Sequence, residues 1–393
     1  MKVLIVGAGI AGPTLAYWLQ RAGHQPTLLE HAPRLREGGY LVDFWGAGFE
    51  VAERMGIVPR LLDKGYRMQE VREVSASGRR IAHFDPRHLL GISGGRYVSI
   101  GRADLARTIY DALDGEVETI LGDTVRTLDD DGDRVRVELA KGRVRDFDLA
   151  VGADGLHSRI RTLVFGPEQE FERCLGIAVA AFDLPGYRPR DELVAVMHTE
   201  VGLQVLRLAL RDGSTMFCFM FRHDGELPDR DLAAQQDLLR HRLRNVGWEV
   251  PAILDRLPEA RTFYLDTASQ IRLPSWSRGR VALVGDAAAC PSLLAGQGSA
   301  LAMIEAYVLA YELDRAQGDH RAAFAAYQHR LADIVRDKQD AAIGLGAAFA
   351  PRNRRQLLLR NSVVALMAIP FVAKLAMGRS LQDPIRLPPQ PGH

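Results

Sequence analysis

At 393 residues the chain is longer than a single hydrophobic core usually serves, so two closely packed domains are expected. Its 47% hydrophobic and 25% charged residues are those of an ordinary soluble globular protein, and a net charge of +1 gives no electrostatic case for a nucleic-acid partner. The three cysteines, Cys174, Cys218 and Cys290, are odd in number and far apart, which argues against a disulfide framework and for reduced thiols in a cytoplasmic protein.

The opening "MKVLIVGAGIAG" has too short an apolar run for a secretory signal and reads as a buried strand over 2–6, followed by a helix over 11–22 and a strand over 26–30. A helix over 101–113 and a strand over 117–122 come next, and 134–155 alternates as a hairpin before running into another buried strand. From 172 to 272 the chain turns β-branched, aromatic and alternating. A turn at 211–213 and one helix over 233–246 complete a block that predicts a mainly antiparallel sheet. "RVALVGDAA" (280–288) is again a strand entering a glycine turn, and long helices fill 299–347. The apolar stretch 362–378 is broken by Pro370 and Lys374 and is too short to span a bilayer. It is expected to pack on the body as a helix, with transient contact at a membrane surface as the alternative and no stable insertion. The last dozen residues read as a loose tail.

Gly7, Gly9 and Gly12 form G-x-G-x-x-G directly after a strand and at the mouth of a helix, with Ala11 inside the motif. The first glycine permits the tight turn, the second lets backbone approach a pyrophosphate, and the third lets helix and strand pack closely. Pro13 is tolerated in a first helical turn, which has no N–H partner to lose. Glu30 ends the second strand, where a carboxylate accepts from ribose hydroxyls and repels a 2′-phosphate, so the nucleotide is expected to be FAD- or NAD-like.

Two further stretches carry a resemblance. "GADGLHSRIRTLVFG" (152–166) contains D-G-x-x-S-x-x-R at Asp154, Gly155, Ser158 and Arg161; "GDAAACPSLLAGQG" (285–298) contains a G-D pair at Gly285 and Asp286 and a G-Q-G loop at 296–298. With the first loop, these motifs resemble the single-component FAD monooxygenases of the para-hydroxybenzoate hydroxylase type, nearest to their tetracycline-inactivating and antibiotic-tailoring branch. The resemblance covers about residues 1–345. It implies an α/β fold: a Rossmann-like FAD domain of the glutathione-reductase type (1–171 and 273–345), an inserted antiparallel substrate domain (172–272), and a C-terminal helix and tail (346–393).

The same resemblance implies roles. The first loop would hold the FAD diphosphate, Asp286 the ribityl hydroxyls, and Gly296, Gly298 and Ser299 the pyrimidine edge of the flavin. Arg102 would reach the diphosphate or ribityl region, Arg36, Gly39 and Asp43 would line the flavin, and the Val125 backbone would touch the adenine. Asp154 and Arg161 would support FAD and dock NAD(P)H transiently, or else simply brace their turn. NAD(P)H would reduce tightly but non-covalently bound FAD, O2 would add as a C4a-hydroperoxide, and one oxygen would pass to an aromatic or polyketide-like small molecule. His198, Gln204, Arg207 and Phe219, with Met197, Phe217 and Phe221, are candidate pocket residues, and strand alternation leaves open which parity faces the flavin.

This chain departs from the family pattern in two places: Ala289 stands where a histidine often follows G-D-A-A, and Leu293 stands near a common proline, with Pro291 two residues earlier. Cys290 reads as a small packing residue, and the eleven histidines show no metal-ligand spacing, so no metal is expected. Trp18, Trp45, Trp248 and Trp276 are never two apart, against a halogenase signature. A flavin oxidase or desaturase and a non-catalytic binder are the alternatives, and the protein is expected to be a monomer or homodimer.

Overall fold

The computed structural model describes residues 1–35, 38, 40–86, 95–228, 231–369 and 385–392. A six-stranded sheet runs in the order Ser277–Arg278, Val281–Leu283, Leu149–Gly152, Lys2–Val6, Gln25–Glu30, Glu118–Leu121. Every neighbouring pair is parallel except the first. Its inner strands are unbroken apolar runs because both faces are covered: Val3, Leu4, Ile5, Leu28, Leu29, Ala150 and Val151 are all buried. Helices Ala11–Arg21 and Gly298–Arg315 lie side by side, locked where Trp18 meets Tyr307 edge to face at 4.9 Å, and a three-stranded sheet (Val125–Asp130, Val135–Leu139, Val144–Phe147) adds Val135, Val137 and Phe147 to the same core. Helix Ala47–Arg54 crosses the second of these so closely that a Cβ on Gly48 would lie 2.6 Å from the Ala300 Cα.

The parallel register aligns Val6 with Gly152 and Gly152 with Leu283. Three strands therefore end at one edge of the sheet, and each leaves it through a glycine turn: Gly7, Gly155 and Gly285, with φ of 110°, 82° and 64°. Only glycine adopts such angles without strain. The topology thus brings together three motifs that are separated by more than a hundred residues each.

A seven-stranded sheet packs beside this layer, in the order Phe263–Ile271, Glu172–Pro185, Ser214–Arg222, Leu203–Ala209, Val194–Glu200, Glu70–Val74, Arg80–Phe84. Its pairs are antiparallel save Val194–Glu200 with Glu70–Val74. The sheet is therefore not confined to 172–272, because two strands come from before residue 171. One face buries Phe182, Phe217 and Phe219 under the helices Leu232–Leu243 and Val250–Asp255. The other face, with Val179, Cys218 and Met220, meets Leu294 of the second glycine loop.

Helices His320–Phe349 and Arg354–Leu366 follow, the latter docked through an Arg360–Glu73 ion pair at 2.6 Å and through Val364 and Met367 on Phe84. Of the apolar stretch 362–378, residues 370–378 lie outside the described residues; among the described residues no helix is long and apolar enough to cross a membrane. The tail is not loose. Ile385 is buried in the main core, and the Tyr307 hydroxyl donates to the Pro388 and Pro389 carbonyls.

Candidate active site

The first glycine loop has the steric logic that its spacing predicts. A Cβ on Gly7 would lie 2.4 Å from the Ala153 carbonyl oxygen, and one on Gly12 would lie 1.9 Å from the Gly7 oxygen, so neither position admits a side chain. A Cβ on Gly9 would meet nothing within 4 Å, which leaves backbone facing open space at the mouth of helix Ala11–Arg21. That helix end has no side-chain cap, so its first N–H groups and its dipole are available to an anion. Glu30 closes the next strand with Oε2 accepting the Ala8 N–H and Oε1 the Ala32 N–H, each at 2.9 Å, which pins the carboxylate beside the loop.

The second loop closes on the first. A Cβ on Gly285 would lie 3.2 Å from the Ala11 Cβ and 3.4 Å from the Ala302 Cβ, so this turn is wedged between the two helix N-termini. Asp286 opens the one-turn helix Asp286–Ala289, and its Oδ1 lies beside Gly298, the first residue of helix Gly298–Arg315. That helix has neither a side-chain cap nor an acid in its first turn, so Asp286 is the carboxylate set against its positive end. Gly296 takes a left-handed φ of 65° and packs near Trp45, and Ser299 is half-buried in the first turn. Cys290 Sγ donates to the Ser269 carbonyl at 3.6 Å, and burial drives its thiol well above the ordinary range, which leaves it an inert packing group.

The third motif braces these two. Asp154 accepts from Ser158 Oγ at 2.5 Å and from the Ile160 N–H at 3.1 Å, while Ser158 caps helix Arg159–Val164. Arg161 is fully buried, donates to the Ala287 and Leu156 carbonyls, and pairs with Glu168. Its guanidinium therefore ties the D-G turn to the G-D helix and is closed to solvent, which fits the bracing role of the two expected for Arg161 rather than docking of a co-substrate. Val125 is likewise committed, its carbonyl accepting from Arg159 Nε.

Arg102 begins helix Arg102–Asp111, and its N–H donates to the Tyr40 carbonyl. Its charge opposes the burial and the nearby Asp286 charge that push Tyr40 up to about 12, so Tyr40, Arg102 and Asp286 share one neighbourhood. Asp43 is exposed on strand Leu41–Trp45 and accepts from Tyr97 (2.7 Å) and Ser99 (2.5 Å). Arg36 and Gly39 lie outside the described residues.

The sheet parity is resolved by its packing. His198 sits by Trp248 and bonds Val74 and Glu200, and Arg207 pairs with Asp191 and Glu249. With Phe217, Phe219 and Phe221 these residues occupy the helix-covered face. They are thus turned away from the glycine loops, contrary to the expectation that His198, Arg207 and Phe219 line a pocket there. Gln204 is on the opposite face with its cross-strand partner Met220, and donates to Thr199. Residues not anticipated complete that side: Met216, with its sulfur 3.3 Å from the Leu41 N–H, Cys218, Leu206, and Tyr40 and Tyr264, whose rings lie 5.5 Å apart. Glu305 was also missed, although it is the only charge in the apolar run 298–311. Among the described residues no cluster could hold a metal ion.

The sequence family described as FAD binding domain matches residues 1–340. A flavin-dependent monooxygenase from an unknown prokaryotic organism is 35% identical over 390 residues, covering 99% of this chain and 98% of its own. One from Legionella longbeachae serogroup 1 is 33% identical with the same coverage. Among solved structures, tetracycline destructase Tet(55) matches with a TM-score of 0.84 and 32% identity over 99% of this chain and 98% of its own. Klebsiella pneumoniae HpxO, complexed with FAD and uric acid, shares the fold at a TM-score of 0.79 and 23% identity, over 97% of this chain and 96% of its own. The wedged glycine turns and these relatives lead to one conclusion: the chain belongs to the FAD-binding family of flavoprotein hydroxylases and is an FAD-dependent monooxygenase.

Proposed function

We propose that this enzyme uses NAD(P)H and O2 to oxygenate a flat aromatic or polycyclic small molecule held between the second glycine loop and the Met216–Met220 face of the seven-stranded sheet. The observation that carries the reading is the wedging of Gly285 between Ala11 and Ala302, which brings the two glycine loops side by side. FAD supplies electron transfer and dioxygen activation when bound; the protein positions, shields and sets charge.

Gly9 and the uncapped start of helix Ala11–Arg21 would take the diphosphate, and Glu30 would take a ribose hydroxyl with its remaining lone pairs. Asp286 would accept from the ribityl chain. The N–H groups over Gly296–Ser299 would face the flavin edge where negative charge collects on reduction. Met216, Cys218, Met220, Leu206 and Tyr264 would give the substrate an adaptable apolar wall. The tetracycline destructases and the uric acid complexed with HpxO support a polar, ring-bearing substrate class.

Asp286→Ala tests the assignment. FAD affinity is expected to fall by about tenfold or more, the equivalent of roughly 1.4 kcal/mol, and NAD(P)H-dependent O2 uptake to collapse with it. Wild-type flavin content and turnover in that variant would reject it. Screening NAD(P)H oxidation against aromatic and polyketide compounds, with peroxide measured beside oxygenated product, separates oxygen insertion from a plain oxidase.

A further inference from the structure

Glu305 is 1% exposed, inside a helix whose neighbouring residues are apolar. A carboxyl is costly to bury unless its oxygens are bonded. Here Oε2 accepts the Gly285 N–H at 2.6 Å and lies 3.2 Å from the Tyr327 hydroxyl, which is itself 3.2 Å from the Leu283 carbonyl. Gly285 is the pivot at which strand Val281–Leu283 turns into Asp286, with a φ of 64°. The carboxyl therefore grips the second glycine turn through the backbone N–H of the residue that precedes Asp286.

We propose that Glu305 is a positioning residue for FAD: by fixing the Gly285 N–H against helix Gly298–Arg315, it sets the direction in which the Asp286 carboxylate meets the cofactor. This rests on the reading that the second glycine turn holds FAD. An acid suits the place better than a permanent charge. The groups facing it are Asp286, Tyr327 and Cys290, and burial first, then the Asp286 charge, raises Glu305 to about 8. Near neutral pH Glu305 thus stays a neutral anchor. Above about pH 8 a second carboxylate charge appears within the same turn and the two repel. Because the folded value is raised, the neutral anchor is fully present at low pH and is lost as pH rises through about 8.

The test uses the purified holoenzyme, with FAD release followed by flavin fluorescence between about pH 6.5 and 9.5. Wild-type FAD affinity is expected to fall about fivefold or more across that range, and Glu305→Gln to match wild type within about threefold at pH 7 but show a flat profile. Glu305→Leu, which strands the Gly285 N–H, is expected to lose about tenfold in FAD affinity at every pH. A Gln variant that keeps the wild-type pH profile overturns the proposal, as does a Leu variant that holds FAD like wild type. If the Leu variant fails to fold, the Gln profile decides alone. Asp286→Ala distinguishes the two levels: undiminished FAD in that variant sinks the cofactor reading itself, whereas its loss beside indifferent Glu305 variants sinks only the role of Glu305.

Discussion

The three glycines of the first loop, each given a separate role by the motif, meet different surroundings in space. A methyl on Gly12 would be driven to 1.9 Å from the Gly7 oxygen, a backbone atom that can yield only by opening the turn. Gly12→Ala is therefore expected to cost about 3 kcal/mol or more of stability, at or beyond the upper end of an overpacking penalty, and to lose FAD as a consequence. A methyl on Gly9 would enter open space at an ordinary backbone angle, so Gly9→Ala should leave the stability of the flavin-free protein within about 0.5 kcal/mol of wild type while sharply weakening FAD. Thermal melts and FAD titrations of the two variants check this; Gly9→Ala that binds FAD normally would remove Gly9 from the cradle. Here the spacing was informative because each glycine answers a separate steric demand. Side-chain roles were harder to read. The sequence leaves Arg161 open between docking a co-substrate and bracing its turn, because a string of residues does not show which arginine the fold encloses; its burial and its bond to Ala287 fit the brace.

At the scale of elements, the informative failure is strand Ser214–Arg222. A strand shows its inner face in sequence only when the other face is wet, and this one is buried along both faces. Phe217, Phe219 and Phe221 are therefore candidates in the sequence on their aromatic character alone, and only the helices over them show that the face with Met216, Cys218 and Met220 is the one toward the second glycine loop. Contacts between elements also give a pH-sensitive joint. His157, in the turn before helix Arg159–Val164, reaches Asp266 on strand Phe263–Ile271 at 3.3 Å and Glu168 at 2.8 Å, linking the two large sheets. Those hydrogen bonds, Asp266 first, raise the imidazole to about 10. A raised histidine contributes stability that is fully present below its unfolded value of about 6.5 and lost as pH rises through about 10. The ring is largely exposed, so screening holds the contribution below about 1 kcal/mol. His157→Ala should melt slightly lower than wild type at pH 6.5 and converge with it near pH 10, a gap that high salt narrows. Parallel melting curves across that range would show the link to be idle.

Over the whole molecule, the parallel βαβ layer was legible because its pairings are set by a repeated local unit. The enlargement of the second sheet was not, since Glu70–Val74 joins Val194–Glu200 across more than a hundred residues and no local pattern encodes that partner. The tail was misread for a related reason. Its proline-rich composition lacks the pattern of an element, but prolines keep their carbonyls, and those carbonyls do the docking. Arg54 Nη1 donates to the Pro388 oxygen at 2.6 Å, Tyr307 donates to Pro388 and Pro389, and the Gly392 N–H donates to Asp314 Oδ2 at 2.8 Å. Ile385 is buried in the core, and a Cβ on Gly392 would lie 2.6 Å from the Arg21 oxygen. The tail thus staples helices Ala11–Arg21, Ala47–Arg54 and Gly298–Arg315 together. Tyr307 is nine residues from Gly298, about 14 Å along the helix from the end assigned to the flavin. Stability and cofactor binding should therefore separate. Truncation after residue 384 exposes a buried isoleucine and several hydrogen-bonding groups, an expected loss of about 2 kcal/mol once the freed chain entropy is set against it. The truncated enzyme should melt several degrees lower yet keep FAD affinity within about threefold at 20 °C. An unchanged melting temperature would show that the staple holds nothing. A matching collapse in FAD affinity would instead mean that the far end of helix Gly298–Arg315 governs its flavin end.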